Sequence, residues 1–241
     1  MAEKRLNAWQ ALFRRALAIL DSAPRAGSML REWSFGGGTV LMRRYRHRLS
    51  TDIDIFLPDP QLLGHLTPRL NPTAESLTQD YVEQANFLKL YFPEGEIDFV
   101  VSGFLTAGPV TTERIAGRDI RVETSAEILA KKVWYRGADF TARDMFDFVL
   151  IARREPWAIR HAGEILAARR SAVLERIEDH EEALREDFKA LDALDFHPSF
   201  EQCVDEIRNA LGTSGRPFHG TEQTVAGYYV SRIAISPRIG L

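Results

Sequence analysis

Asp52-Ile53-Asp54-Ile55-Phe56 alternates polar and apolar residues with period two, and Pro58-Asp59-Pro60 closes the run. A β-strand sends successive side chains to opposite faces, so the isoleucines enter a core while both carboxylates share the other face. Like charges so placed repel. Solvent at a strand end relieves that repulsion, and so does a divalent cation, since hard oxygen ligands suit Mg2+. A calcium loop starting at Asp52 would need Glu at its twelfth position, which is Leu63, so an EF-hand is excluded.

Upstream, Gly36, Gly37 and Gly38 separate a strand expected around Leu30 to Phe35 from a helix expected over Thr39 to Arg48. At such a corner free backbone N–H groups and a helix N-terminus favour a phosphate, and glycine permits close approach. No Gly-Lys-Ser/Thr follows as in a P-loop, and Leu41 stands where a dinucleotide fingerprint needs its third glycine. An ordinary turn accounts for the glycines equally well. The acidic pair a dozen residues later is what would place a phosphate cradle beside a metal site. Asp98, within Glu96-Ile97-Asp98-Phe99-Val100, is a third acid on a strand that otherwise reads as core. A carboxylate there is costly unless paired, metal-bound or at a solvated edge, and Glu96 shares its face.

The remaining pattern divides near residue 124. Before it, Leu6 to Leu20 reads as an amphipathic helix ended by Asp21 to Gly27. Gln61 to Leu70 reads as a helix, Asn86 to Phe92 and Glu96 to Val101 as a hairpin across Pro93-Glu94-Gly95, and Arg118 to Glu123 as a strand. After it come helices over Ser125 to Arg136, Ala142 to Arg154, Trp157 to Ala168 and about Ser171 to Leu194. Thr124 with Glu127 suggests a capping box and Gly137 a C-cap. The expected organisation is an α/β core over 1–124, a helical part over 125–211 and an unassigned segment over 212–241, in the α+β class.

With 241 residues, 45% hydrophobic and 27% charged, the chain is long enough for a substantial core and unlike disordered sequences. The single cysteine, Cys203, excludes an internal disulfide and fits a reducing compartment. The first twenty residues mix charge through an amphipathic pattern, unlike a secretion signal. The most apolar stretch, Ile97 to Val110, is too short to span a bilayer. A cytoplasmic, non-membrane protein is expected. The net charge of −3 is unevenly spread: residues 171–210 hold 12 Asp/Glu against 4 Lys/Arg. That region reads as an outward face or a surface for a protein partner, and it would repel RNA. The cationic run Arg43, Arg44, Arg46, His47 and Arg48 reads as a solvated helix face, or as an RNA-backbone contact.

On the helix expected over Ser125 to Arg136, Lys132 and Arg136 share the stripe of Ile128, Leu129 and Val133, so both cations face inward and need partners. A bound triphosphate is one such partner, and snorkelling to water is the alternative. Asp144 and Asp147 lie on a helix that is apolar nearly all round, and Thr141 can cap it through Asp144.

The block FGGGTVLMRRYRHRLSTDIDIF, with EIDFV and SAEILAKKVWYRG…ARDMFDF, resembles the AbiEii/AbiGii-type nucleotidyltransferase toxins of the polymerase β-like superfamily over about residues 30 to 152. Gly37-Gly38, Asp52-Ile53-Asp54 and Ile97-Asp98-Phe99 follow the superfamily order, and His47-Arg48-Leu49-Ser50-Thr51-Asp52-Ile53-Asp54 is the form characteristic of the toxins. The resemblance implies a polymerase β-like core with a mixed sheet, Mg2+ held by Asp52, Asp54 and Asp98, and an NTP as substrate. Gly37, Gly38, Thr39 and Ser50 would meet the triphosphate, with Lys132, rather than Lys131, as the phosphate lysine and Arg136 beside it. It also implies a supporting catalytic role for Asp144 and a structural one for Asp147. The reaction implied is NMP transfer to an acceptor hydroxyl, the tRNA 3′ end first, by a toxin with a cognate antitoxin. Transfer to a protein or small molecule, or nucleotide binding without turnover, are the alternative readings.

Overall fold

The computed structural model describes residues 6–23 and 32–213. The expectations for residues 24–31 and 214–241 lie outside the described residues. The elements form one mixed seven-stranded sheet with helices on its faces and after it, an α+β arrangement.

In chain order the elements are α1 (Ala8–Asp21), β1 (Ser34–Gly36), α2 (Gly37–Tyr45), β2 (Ile53–Leu57), a 3-10 turn (Pro60–His65), α3 (Pro72–Leu77), β3 (Tyr81–Glu83), β4 (Phe87–Phe92), β5 (Gly95–Val101), β6 (Val110–Ile115) and β7 (Arg118–Glu123). The helical part follows: α4 (Ser125–Arg136), α5 (Ala142–Arg154), α6 (Pro156–His161), α7 (Gly163–Asp179), α8 (Glu181–Lys189) and α9 (Phe200–Thr213). The strand order is β3-β4-β5-β2-β1-β7-β6. β2 runs parallel to β5 and β1 parallel to β7, while β1 and β2 are antiparallel.

Alternation decides which face is core. Ile53, Ile55, Leu57, Ile97 and Phe99 are buried on one side, where α1 packs over β2 and β5. There Trp9 and Phe13 on α1 meet Phe35 of β1, the Phe13 and Phe35 rings lying 4.7 Å apart. The opposite side carries Asp54, Phe56 and Asp98 and is covered in part by α4, whose Lys131 ammonium lies 3.7 Å above the Phe56 ring. Burial of the apolar face supplies the main driving force, at about 25 cal/mol per Å2 of apolar surface.

Several boundaries differ from the sequence expectations. The helix expected over Thr39–Arg48 begins at Gly37 and stops at Tyr45, because Arg46 adopts a left-handed conformation with φ 50°. Residues 47–51 then lead to β2 without helix or strand, save an isolated bridge between Arg48 and Ala193. Gln61–Leu70 holds only the short 3-10 turn, with Asp59 accepting from the Gln61 amide. Gly137 is right-handed helical and starts a 3-10 turn, so it is not a left-handed cap. Thr124 does cap the Glu127 amide, but the Glu127 carboxylate accepts from the Leu105 and Thr106 amides, more than twenty residues earlier, instead of closing a box. The full capping box is Thr141 with Asp144. The expected Trp157–Ala168 helix breaks after His161, and the expected Ser171–Leu194 helix is α7 and α8 divided at His180. Two edge strands, β3 and β6, were not anticipated.

Candidate active site

The site begins with register. β2 and β5 pair in parallel with Asp54 opposite Asp98, so the two carboxylates project side by side from neighbouring strands. Asp52 precedes β2, two residues from Asp54 and so on the same face, and its side chain is 37% exposed. One Asp52 oxygen accepts from the Glu96 amide at 3.3 Å and the other lies 3.9 Å from the Arg143 guanidinium.

The glycine corner closes over this face. Gly37 has φ +73°, and a Cβ on it would stand 1.9 Å from Asp54 Oδ2, so only glycine lets the corner lie against the carboxylate. A Cβ on Gly38 would meet the Arg48 guanidinium at 2.6 Å and Ser50 Oγ at 3.1 Å. Thr39 is fully buried; its hydroxyl lies 3.0 Å from Ser50 Oγ and donates to the Asp52 carbonyl at 2.6 Å. The Thr39 side chain thus braces the corner against the acidic strand, and its hydroxyl proton is already engaged.

Electrostatics single out the same acids. Burial, reinforced by Asp54, pushes Asp98 up to about 7, over the opposing pull of Lys89. Asp54 is raised as well, burial outweighing Arg136 and Lys132. Lys89 lies directly across the β4–β5 hairpin, its ammonium bonded to Glu96 and 3.3 Å from Asp98 Oδ2. Asp98 Oδ1 is left buried without a partner. A buried carboxylate oxygen with an open valence beside a second carboxylate is the donor chemistry that a hard divalent cation satisfies. Asp54 and Asp98 therefore fit such an ion. Among the described residues no set of three His, Cys, Asp or Glu is drawn together tightly enough to cage a metal, although the Asp52 charge adds to the upward push on Asp54.

Above the acids, α4 and α5 supply cations. Lys132 Nζ lies 2.6 Å from Asp144 and 3.1 Å from Asp147, both fully buried, and Arg136 lies 3.5 Å from Asp144 with half its side chain exposed. Burial opposes ionisation of Asp144, but Lys132 and Arg136 outweigh it and hold the carboxyl below its ordinary range. Lys132 faces inward as expected, whereas Arg136 is half exposed, and in this structure the partners of both are these carboxylates. Lys131 is the more buried lysine and points elsewhere, to Glu123 at 2.5 Å.

The cationic run after the corner is not one solvated helix face: each of its members has an acidic partner, with His47 and Arg48 buried and Arg46 exposed. Arg43 and Arg44 pair with Glu113, Arg46 with Asp195, and buried His47 and Arg48 both with Asp147. Each acid is distant in sequence, which is why the residues alone did not reveal the pairing. Lys89 was also missed, although a two-residue turn at Pro93-Glu94 sets Lys89 opposite Asp98 by counting outward from Phe92 and Gly95.

The solution structure of the antibiotic-resistance factor ANT(2'')-Ia is similar at 20% identity and a TM-score of 0.48, over 71% of this chain and 97% of that one. The nucleotidyltransferase toxin MenT4 from Mycobacterium tuberculosis is similar at 17% identity and a TM-score of 0.47, over 85% of this chain and 90% of that one. No curated protein matches. The family described as nucleotidyl transferase AbiEii toxin, type IV toxin–antitoxin system, matches residues 26–220. That span takes in the glycine corner, all three acids, both lysines of α4 and the whole of α5, and the chain belongs to this family of nucleotidyltransferase toxins.

Proposed function

We propose that the chain moves a nucleoside monophosphate from an NTP to an acceptor hydroxyl at the 3′ end of tRNA. The observation that carries the reading is the in-register pair Asp54 and Asp98 lying against Gly37, with Asp98 Oδ1 unpartnered. In this reading Asp52, Asp54 and Asp98 hold Mg2+, with Asp52 turning from the Glu96 amide to join the pair. Bound magnesium supplies Lewis-acid stabilisation of the charge at the α-phosphate and on the leaving oxygen.

The chain's own groups bind and orient. Backbone N–H groups at Gly37, Gly38 and Thr39 receive triphosphate oxygens, and the Ser50 hydroxyl adds a side-chain contact beside Gly38. Lys132 and Arg136 balance the negative charge that gathers on pyrophosphate as the bond to the α-phosphorus breaks and the bond from the acceptor oxygen forms. Asp144, fixed by its capping box with Thr141, holds Lys132 in place. The nucleotide sits between the sheet face and α4–α5, so that residues 1–124 and 125–211 each contribute one wall. Family membership brings with it a cognate antitoxin. No helix among the described residues is long and apolar enough to cross a membrane.

Purified chain incubated with each labelled NTP, Mg2+ and total tRNA tests the reading. Label should appear at tRNA 3′ ends, and Asp54→Asn should remove it. Label confined to protein or small molecules would reject the tRNA assignment, and NTP binding without any transfer would reject the enzyme reading.

A further inference from the structure

Arg48 and Asp147 take no part in the reaction as proposed, yet they join the two walls of the site. Arg48 is 4% exposed and Asp147 is fully buried. The guanidinium donates from Nε to Oδ1 and from Nη2 to Oδ2, both at 2.7 Å, a two-pronged fork that fixes orientation as well as charge. The same Nη2 lies under the glycine corner, 2.6 Å from where a Gly38 Cβ would be. Asp147 Oδ2 is also 3.1 Å from Lys132 Nζ. His47 completes the set, its Nε2 2.8 Å from Asp147 Oδ1. One carboxylate on α5 therefore touches the group beneath the phosphate corner and the lysine facing it.

We propose that Arg48 and Asp147 are positioning residues for the triphosphate: the fork sets the height of the glycine corner, and the third contact sets the place of the Lys132 ammonium. This rests on the nucleotidyltransferase reading. The alternative is a buried ion pair that only stabilises the fold. Charge separates the two. Arg48, Lys132 and Arg136 face Asp144 and Asp147, so neutralising Asp147 makes the cleft more positive and, by charge alone, tightens an anion. Positioning demands the opposite sign, because a misplaced corner and lysine lose the contacts that orient the phosphates.

The test is titration of the full chain with a non-hydrolysable α,β-methylene NTP and Mg2+, beside the uncharged nucleoside, well below the melting temperature. Asp147→Asn should weaken the triphosphate analogue tenfold or more and leave nucleoside binding unchanged. Arg48→Lys, which keeps the charge and loses the fork, should weaken it several-fold and carries the test if Asp147→Asn does not fold. Equal or tighter triphosphate binding by either folded variant, even with a lowered melting temperature, would overturn the proposal. A parent chain that binds no triphosphate analogue would instead remove the nucleotidyltransferase reading on which it stands.

Discussion

Gly37 shows how narrow the tolerance is at single residues. Its positive φ and the 1.9 Å approach to Asp54 that any Cβ would make put two penalties on one substitution. Gly37→Ala should cost about 1–3 kcal/mol of stability through backbone strain. It should also lower NMP transfer on the order of 100-fold by displacing Asp54; transfer assays with a denaturation curve would separate the effects, and near-parental transfer would refute the contact. Glu123 makes a pH-dependent prediction away from the acids. It is fully buried under Gly36, bonded to Ser34 and Lys131, with Oε2 unpartnered. Burial pushes it up to about 7, over the pull of Lys131. A carboxyl raised above its unfolded value contributes stability that is full below the unfolded pKa and is lost as pH rises through the folded one. Glu123→Gln should therefore gain on the parent between about pH 5 and about pH 8, on the order of 2–4 kcal/mol in urea unfolding. A difference that does not change with pH would contradict this. The glycines and acids were legible as residue types, and Lys89 opposite Asp98 follows from the hairpin register; the pairing of His47 and Arg48 with Asp147 was not legible, since the partners lie 100 and 99 residues apart.

At the scale of elements, local signals worked where they were strong and self-contained. α5 was expected over Ala142–Arg154 and is found there, because Thr141 caps it and its apolar residues bury nearly all round. Thr141→Ala removes the cap and one of the bonds that hold Asp144, so it should cost about 1 kcal/mol. Phe148→Ala, on the same helix and fully buried, should cost about 3–5 kcal/mol. Chemical denaturation of both variants checks the ranking, and a cap loss as large as the core loss would show that Asp144 depends on more than Thr141. β6 was invisible for the opposite reason. Val110-Thr111-Thr112-Glu113-Arg114-Ile115 is polar on its open side, and it forms a strand by pairing with β7 at the sheet edge. α2 ended early because the Arg46 and His47 carbonyls accept from the Asp195 and Leu194 amides, long-range backbone bonds that no local pattern carries.

At the scale of the whole molecule, the sheet and the helices share one core and several buried polar links. Arg48 and His47 reach Asp147 on α5, and Tyr45 and Ser125 both bond Glu155 at its end. Phe146 of α5 packs at tilted and edge-on angles among His47 and the Phe188 and Phe196 rings. Removing one partner of a buried ion pair costs about 3–5 kcal/mol, so neither part should unfold first while these links hold. Urea unfolding followed by far-ultraviolet circular dichroism and by tryptophan fluorescence should give one coincident transition; two separated midpoints would refute the coupling.

What the sequence determined by itself is whatever period and turn chemistry dictate locally: the Asp52–Asp54 face, the glycine corner, the β4–β5 hairpin, and α4 and α5 with their inward cations. Those features need only neighbours within a few residues, and their side chains have one sterically favoured arrangement. Only the tertiary structure decided that Asp98 stands beside Asp54, that Arg48 after the corner is internal, and that Asp147 ties the phosphate corner to Lys132. Each of these is a pairing of charges across long chain separations, settled by which strands lie next to each other and by the cost of leaving a buried charge alone.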